Sequence, residues 1–400
     1  MFETVEMAPP DPILGLTEAV KADPNPDKIN LGAGIYKDES GRTPVLSAVK
    51  KAERRLLDAE ASKGYLPISG LPEYTEAARE LLFGPGHKVV ESGRAVTAQA
   101  PGGTGALRLA AEFIGKFAGE PRVWVSDPTW SNHYGVLEAA GLKTAKYAYY
   151  DADTHSLDFE GMMASIAEME RGDVILLHGC CHNPTGVDPS RDQWQEIAAA
   201  VADRGLLPLV DLAYQGFGEG LEQDAAGMVA VCEHCPEAFV ASSFSKNFGL
   251  YSERVGALTA VSPSPDIAQR VMSQLKIVIR RLYSNPPAHG AAIVATILDD
   301  PDLRAEWEEE LAAMRGRIHQ MRRLLVDTLE AKGVEIDFSF ICDQNGMFSF
   351  SGLSGEQVRR LREEHSVYMV GSGRMNVAGI SPSNVDRLVD AIAVVLREKG

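Results

Sequence analysis

The chain has 400 residues, enough for one large α/β body or two lobes around a sizeable core. Hydrophobic residues make up 45% of it and charged residues 24%, which excludes a fibrous, low-complexity or disulfide-framework protein. Lys and Arg number 39 against 56 Asp and Glu, a formal charge of −17 that makes nucleic acid a poor partner. Because there is neither an N-terminal leader pattern nor an apolar run of the ~20 residues of a membrane helix, we expect a cytoplasmic protein without a membrane partner.

The five cysteines are too few and too unevenly spaced for a disulfide scaffold in a chain of this length. Cys232 and Cys235 have the spacing of half a zinc or redox site, but a structural zinc takes four ligands and no second such pair occurs. We therefore expect plain thiols and no metal.

Apolar runs rich in β-branched residues alternate with helical segments, which predicts an α/β fold around a mostly parallel sheet. The predicted strands are 95–100, 122–126, 174–178, 206–211, 238–243 and 255–261. Apolar residues recur at helical spacing over 104–117, 193–204 and 303 to about 332, the last after an Asp-Asp-Pro-Asp capping signal. The remaining residues, 334–400, are predicted to form a smaller α+β segment.

Lys246 follows an apolar strand and lies among small hydroxyl residues. A lysine held where water is scarce loses part of its charge preference, and its free amine can form a Schiff base with an aldehyde. Arg254 offers a planar fork suited to a phosphate, and Ser243 and Ser245 offer further donors. A phosphate beside a Schiff-base lysine points to pyridoxal phosphate.

A glycine-rich stretch, Pro-Gly-Gly-Thr-Gly at 101–105, lies between a predicted strand and a predicted helix. Glycines allow the backbone to approach a phosphate, and a helix N-terminus supplies unpaired N–H groups. The glycine spacing does not match the GxGxxG of nicotinamide-binding proteins, so phosphate binding is favoured over dinucleotide binding.

Three further polar residues follow predicted strands or turns. Asp211 ends a buried strand, where ligands of open α/β sheets collect, and its carboxylate suits a protonated pyridine nitrogen; capping of the next helix is the alternative. Asn183 follows the strand 174–178 and is expected to point into the same crevice. Arg374, between a glycine turn and an apolar run, is a natural fork for a substrate carboxylate, although a surface arginine would be the default if it stood alone.

The order and approximate spacing of these residues resemble the aspartate/aromatic subgroup of the class I aminotransferases, which depend on pyridoxal phosphate and have fold type I. The residues that carry the resemblance are Trp130, Asn183, Asp211, Tyr214, Lys246, Arg254 and Arg374. Similar motifs run along the whole chain, at 11–16, 30–34, 284–290 and 345–353. The resemblance implies a mostly parallel central sheet sandwiched by helices, with a smaller α+β domain made from both chain ends. The implied segments are an arm and part of the small domain at 1–45, the large cofactor-binding domain at 46–305, and an interdomain helix and small domain at 306–400.

The resemblance also implies how pyridoxal 5′-phosphate is held. Lys246 would anchor it covalently and act as the general base. Asp211, supported by His133, would pair with the pyridine nitrogen, Tyr214 and Asn183 would contact the phenolic oxygen, and Trp130 would stack on the ring. The residues implied to bind the phosphate are Gly103, Thr104, Ser243, Ser245, Arg254 and, from the neighbouring subunit of a homodimer, Tyr65.

On the substrate side, Arg374 would bind the α-carboxylate and Arg280 of the other subunit the distal carboxylate. The residues implied to complete the substrate site are Gly34, Trp130, Asn183 and Phe348. The implied reaction transfers the amino group of L-aspartate to 2-oxoglutarate by a ping-pong aldimine/ketimine mechanism, and the partners are amino acids, 2-oxo acids and a second copy of the chain.

A dual-specificity aromatic aminotransferase is the alternative within the same subgroup. The residues that agree with aspartate-selective members are Lys37, Thr43, Thr104 and Asn285, whereas Ile35 and Gly64 depart from them. We favour aspartate. Two rivals from other classes are a silent pyridoxal-binding scaffold, disfavoured by the presence of Lys246 and Arg374, and a nicotinamide-linked oxidoreductase, disfavoured by the glycine spacing.

Overall fold

The computed structural model describes residues 2–7 and 14–397 and has a seven-stranded sheet at its centre. The strands in chain order are β1 (Ile29–Asn30), β2 (Ala95–Pro101), β3 (Arg122–Asp127), β4 (Lys143–Ala148), β5 (Tyr150–Asp151), β6 (Ser156–Leu157), β7 (Val174–His178), β8 (Leu207–Leu212), β9 (Ala238–Ser243), β10 (Val255–Val261), β11 (Phe348–Phe350), β12 (Val367–Tyr368) and β13 (Arg374–Asn376). The α-helices are α1 (Leu14–Ala22), α2 (Ser47–Ala59), α3 (Pro72–Phe83), α4 (Lys88–Glu91), α5 (Gly102–Phe117), α6 (Asn132–Glu138), α7 (Phe159–Glu168), α8 (Arg191–Arg204), α9 (Leu221–His234), α10 (Pro265–Leu282), α11 (His289–Asp299), α12 (Pro301–Ala331), α13 (Gly355–His365) and α14 (Val385–Arg397).

The central sheet has the strand order β2-β10-β9-β8-β7-β3-β4 and is parallel except for β10. All six predicted strands are confirmed, and the mostly parallel α/β fold with them. Strand β4, which pairs with β3 at one edge of the sheet, was not predicted from the sequence. Its exposed Lys143 and Lys146 break the apolar run that identified the inner strands, and such charges are typical of an edge strand.

Strand β10 runs antiparallel to β9 because only residues 244–254 connect the two strands, with no helix among them. A parallel pair needs a longer crossover, usually a helix. The consequence is that the end of β9 and the start of β10 meet at the same edge of the sheet, with Ser243 opposite Gly256. The connection between these strands carries both Lys246 and Arg254.

The predicted helices 104–117, 193–204 and 303–332 are confirmed as α5, α8 and α12. Helix α5 buries Leu107, Ala110 and Ile114 in an apolar cluster with β9 and β10. Helix α12 begins as the capping signal indicated, since the Asp300 carboxylate accepts the N–H of Leu303 at 2.9 Å.

The N-terminal part of the chain joins the C-terminal part, because β1 pairs in parallel with β12, Ile29 opposite Val367. Strands β11 and β13 form a second small pair, which brings Phe348 opposite Asn376. The division at residues 45 and 305 stays a proposal, and the start of the 11–16 motif lies outside the described residues. Among the described helices, none combines the length and the apolar character that crossing a membrane requires.

Candidate active site

A cavity of about 550 Å³ opens at the carboxyl edge of the central sheet. Ligands of open α/β sheets bind at this edge, and strands β7, β8 and β9 all end there. The residues selected from the sequence that line this cavity are Gly34, Gly103, Thr104, Trp130, Asn183, Asp211, Tyr214, Ser243, Ser245, Lys246, Arg254, Phe348 and Arg374. They come from distant parts of the chain, so the fold brings the separate motifs into one site.

Lys246 lies in the connection between β9 and β10, with its Nζ atom 4.7 Å from the centre of the Tyr214 ring. The pKa of Lys246 is lowered to about 8, mainly by burial; the Asp211 carboxylate opposes this shift and the Arg254 guanidinium adds to it. At pH 7 about a tenth of the side chain is therefore a neutral amine, far more than for an ordinary lysine, and the share grows as the pH rises toward 8. A neutral amine is the nucleophilic form that Schiff-base formation needs.

Asp211 lies near the end of β8, and His133 Nε2 is 3.0 Å from its Oδ2 atom. Thr129 Oγ1 lies 2.8 Å from His133 Nδ1 and 3.0 Å from His178 Nε2. Burial by itself raises the pKa of Asp211, but the His133 hydrogen bond, with smaller electrostatic contributions that include Lys246, more than offsets this, so the net pKa lies below its usual range. Asp211 is therefore an ionised carboxylate at the cavity, held by His133, whose ring is in turn held by Thr129.

The start of α5 and the loop before β10 form a cradle that excludes side chains larger than hydrogen. A Cβ atom on Gly102, whose φ is +74°, would lie 2.4 Å from Arg254 Nη2. A Cβ atom on Gly103 would lie 3.0 Å from Ser243 Cβ. Arg254 Nη1 donates to Ser245 Oγ at 3.2 Å. A guanidinium, two hydroxyls and the N-terminus of a sixteen-residue helix thus converge on one point, the donor set that a phosphate requires.

Arg374 is buried in β13 and is fixed from several sides. It donates to Asn183 Oδ1 at 3.2 Å and to the Gly32 carbonyl at 2.9 Å, and its guanidinium carbon lies 4.3 Å from the centre of the Phe348 ring. Burial lowers the pKa of Arg374, and the Tyr214 phenol acts in the opposite direction. The Nε atom has no partner among the described residues. A buried guanidinium with an unused donor at a cavity wall is suited to a carboxylate ligand.

Tyr214 and Trp130 form apolar walls of the same cavity. Burial raises the pKa of Tyr214 well above its usual range, so the phenol keeps its proton and can donate it in a hydrogen bond. Trp130 packs edge-on against His133, with 5.2 Å between ring centres. The two aromatic residues therefore add apolar surface to the cavity that Asp211 also lines.

Three of the selected residues do not line the cavity of this single chain. His133 lies behind Asp211, consistent with a supporting position. Tyr65 is 95% exposed, and Arg280 lies exposed at the end of α10, where it donates to Ser284 Oγ. The expectation that Tyr65 and Arg280 act in a neighbouring subunit stays a prediction.

Sequence reasoning gave no role to His178, Tyr251 and Cys180, all of which line the cavity. His178 is the last residue of β7, and that strand-end position was the available signal. Tyr251 is held by an N–H donated from Tyr36 at 2.9 Å, a contact between residues far apart in the chain that no local pattern could reveal.

Cys180, Cys181 and Asp224 place three buried ligand atoms within 4.8 Å of one another. The Asp224 carboxylate already accepts the N–H groups of Gly216 at 2.8 Å and Gly218 at 2.9 Å. Burial raises the pKa of Cys181 to about 12, so its thiol stays protonated. These contacts give the cluster a role in holding the loop after β8.

Cys232 and Cys235 are free thiols buried at the C-terminal end of α9. Cys232 Sγ lies 3.8 Å from Met228 Sδ, and burial raises the pKa of Cys235 to about 11. Both thiols are therefore protonated, packed side chains at neutral pH.

Comparison with known proteins places the chain in a family. The family model described as aminotransferase class I and II matches residues 26–392. Aspartate aminotransferase of Salmonella typhi is 58% identical over 396 residues, which cover 99% of this chain and 100% of that protein. Aromatic-amino-acid aminotransferase of Pseudomonas aeruginosa is 48% identical over 394 residues, 98% of each chain.

A solved structure agrees with these sequence relatives. The aromatic-amino-acid aminotransferase from Burkholderia pseudomallei, covalently bound to pyridoxal phosphate, superposes with a TM-score of 0.97 at 50% identity and covers 99% of each chain. The chain therefore belongs to the aminotransferase class I and II family.

Proposed function

We propose that the cavity binds pyridoxal 5′-phosphate and that the chain transfers the amino group of L-aspartate to 2-oxoglutarate. The observation that carries the proposal is the presence, in one cavity, of a lysine with a pKa near 8, an ionised Asp211 and a buried Arg374. The relatives named aspartate aminotransferase and the related structure with covalently bound pyridoxal phosphate support the same conclusion.

The cavity fits this cofactor at three points. The cradle at Gly103 and Arg254 suits its phosphate, Asp211 suits its protonated pyridine nitrogen, and Lys246 suits its aldehyde. Thr104, Ser243 and Ser245 supply the remaining phosphate donors. When bound, pyridoxal phosphate supplies an aldehyde and an electron-withdrawing ring that stabilises negative charge at the substrate Cα.

Each residue near the ring then has a distinct task. Lys246 anchors the cofactor and, once released, its Nζ atom moves a proton away from the substrate Cα. Asp211 keeps the proton on the pyridine nitrogen, and its hydrogen bond with His133 keeps the carboxylate ionised. The Tyr214 hydroxyl and the Asn183 amide would donate to the phenolic oxygen of the bound cofactor, and Trp130 would pack against its ring.

Arg374 binds the α-carboxylate of the substrate. Asn183 and Phe348 hold the guanidinium from two sides, and Gly34 packs closely enough that a Cβ there would lie 3.0 Å from Phe348 Cζ. These contacts hold the Arg374 guanidinium in one orientation before the substrate arrives, which lowers the conformational entropy lost when the substrate binds.

We further propose a homodimer with shared active sites. Tyr65 would reach the phosphate, and Arg280 the distal carboxylate, of the neighbouring subunit's site. Their exposure in the single chain, together with the exposed Ile277 and Leu282 on α10, supports a second copy covering this surface. A cytoplasmic location stays an expectation from the sequence.

A dual-specificity aromatic aminotransferase is the second candidate, supported by the relatives of that name at 48% and 50% identity. The two residues that depart from aspartate-selective members lie near residues assigned to the site. Ile35, which is 37% exposed, follows Gly34 of the cavity, and Gly64 precedes the exposed Tyr65. Among the described residues of the single chain Arg280 contacts the Ser284 hydroxyl and no carboxylate, so no ion pair within the chain would have to break for its side chain to move when an apolar substrate enters.

A single-turnover half-reaction tests both candidates. The purified holoenzyme is mixed with L-aspartate or L-phenylalanine, and the loss of the lysine-bound cofactor absorbance is followed. A large preference for aspartate supports the first candidate, whereas comparable rates support dual specificity. Borohydride reduction followed by peptide mass analysis tests the cofactor anchor, and a cofactor mass on a peptide without Lys246 would contradict it.

A further inference from the structure

Arg322, in the second half of α12, is a buried cation without an ionic partner. It is 1% exposed, and among the described residues no carboxylate lies within ion-pair distance of it. Burial lowers its pKa to about 10. Burying a charge without an opposite charge is costly, so its donors must be satisfied in another way. Both Nη atoms find acceptors, whereas the Nε atom has none among the described residues.

The acceptors all belong to one segment, residues 341–349, which we name the covering loop. Arg322 Nη1 donates to the Ile341 carbonyl at 2.9 Å and to Ser349 Oγ at 2.6 Å. Its Nη2 donates to the carbonyls of Gly346 at 2.7 Å and Phe348 at 2.6 Å, with a longer contact of 3.2 Å to that of Asn345. One planar guanidinium thus binds both ends and the middle of the covering loop.

The covering loop in turn contacts the loop that carries Asn183. The Asn345 N–H donates to the Gly186 carbonyl at 2.6 Å, and the Asn345 side-chain amide donates to Asp188 Oδ2 at 3.3 Å. Asp188 also accepts the N–H groups of Cys181 at 2.8 Å and His182 at 2.9 Å. The covering loop therefore holds the loop of Asn183 at Gly186 and supports Asp188, which binds the backbone just before Asn183.

The covering loop affects Arg374 in two ways, through Phe348 and through Asn183. Phe348, in the covering loop, packs against the Arg374 guanidinium, and Asn183 accepts a hydrogen bond from it. A shift of the covering loop would displace these two contacts together. Neither contact can compensate for the other, because both depend on the same loop, and the Gly32 carbonyl at 2.9 Å would then be the remaining hydrogen-bond partner of Arg374 among the described residues.

We infer that Arg322 is a positioning residue for substrate binding: it sets the covering loop so that Phe348 and Asn183 hold Arg374 in the geometry that binds the substrate carboxylate. The inference rests on the proposed function, since it takes Arg374 as the carboxylate fork. A lysine at this position would keep the charge but would lack the planar set of donors that spans five acceptors. The guanidinium shape, and not only its charge, is the feature required.

The test compares Arg322→Met and Arg322→Lys with the matched control Leu325→Ala in the holoenzyme. Leu325 lies one turn further along α12 and is also 1% exposed, but its side chain has no hydrogen bond to lose. Succinate, a dicarboxylate without an amino group, is titrated against the cofactor absorbance, and kcat and KM are measured with aspartate. We expect both Arg322 variants to raise the succinate Kd and the aspartate KM about tenfold or more, because a misplacement of about 1 Å in a binding group is costly. The Kd for the cofactor should rise less, since of its proposed contacts only the one to Asn183 depends on the covering loop.

A milder variant, Ser349→Ala, removes one acceptor and keeps the inference testable if the Arg322 variants do not fold; a smaller rise in the succinate Kd is expected. Equal rises in Leu325→Ala and the Arg322 variants would overturn the inference, since they would reflect general destabilisation of α12. An unchanged succinate Kd in Ser349→Ala and the folded Arg322 variants would also overturn it. Failure of the wild-type enzyme to bind succinate or convert aspartate would instead contradict the proposed function.

Discussion

The Nζ atom of Lys246 lies 4.7 Å from the centre of the Tyr214 ring, in a cavity where burial has made the lysine a weaker base and the tyrosine a weaker acid. The lysine therefore loses its proton more easily than an exposed lysine does, whereas the tyrosine phenol stays protonated. Neither shift depends on a bound ligand. The site is electrostatically prepared for imine chemistry before any cofactor enters.

This relationship predicts a pH dependence for the cofactor-free protein. The pKa of Lys246 is lowered from 10.5 to about 8, so its reactive neutral form should increase as the pH rises through 8, well before exposed lysines respond. The measurement is the initial rate of imine formation with pyridoxal, which lacks the phosphate, after subtracting the rate of Lys246→Ala. A midpoint above pH 10 would contradict the burial argument.

Much of this site could be predicted because its residues follow strands or open a helix. Asp211, Lys246 and the glycines at 102 and 103 each stand at a boundary between an apolar run and a polar turn, which is a local pattern. The partners that set their chemistry could not be predicted in the same way. The His133 hydrogen bond to Asp211 spans 78 positions, and local spacing contains no information on such a contact, so His133 was named only through the family resemblance.

The role inferred for Arg322 is even harder to predict from the sequence. Its acceptors are mainly backbone carbonyls, which every residue possesses. The amino-acid sequence of the covering loop therefore cannot show that these carbonyls bind an arginine. In the sequence, Arg322 is one of several arginines on a charged helix, and its burial becomes apparent only when α12 is packed. Strand β4 was not predicted for a related reason. Its lysines are tolerated because the strand lies at the edge of the sheet, and that position is known only once the sheet is assembled.

The phosphate cradle predicts that Gly102→Ala weakens cofactor binding. The added methyl group would meet the Arg254 guanidinium at 2.4 Å, and the φ of +74° is itself unfavourable for alanine. We expect the dissociation constant for pyridoxal phosphate to rise about tenfold or more, which corresponds to ~1.4 kcal/mol. The measurement is equilibrium titration of the cofactor-free protein.

Gly316→Ala provides the control for this variant. Gly316 lies within α12 with no atom within 4 Å of a built Cβ, so alanine should leave cofactor affinity unchanged and raise stability by ~0.5–1 kcal/mol. If both variants bound the cofactor as well as the wild type, the cradle would not be the phosphate site.

The hydrogen bond between His133 and Asp211 predicts the direction of a second pH effect. Burial raises the pKa of Asp211, and the hydrogen bond with His133 is the largest of the contributions that lower it again. In His133→Leu the burial remains and the hydrogen bond is lost, so the pKa of Asp211 should rise. The acidic limb of the kcat profile should then move to higher pH, because Asp211 takes up its proton sooner as the pH falls. An acidic limb that stays in place would exclude Asp211 as its source.

Arg280 provides the prediction that separates the two substrate classes. Arg280→Ala removes the proposed partner of the distal carboxylate while leaving Arg374 and its contacts in place. A substrate carboxylate left without its charged partner loses a large part of its binding energy, so kcat/KM for aspartate should fall about a hundredfold or more. L-Phenylalanine has no distal carboxylate, and its kcat/KM should change little. Arg281→Ala, the adjacent exposed arginine on α10, serves as the control for the loss of one surface charge. An equal loss for both amino acids would contradict the assignment of Arg280 to the distal carboxylate.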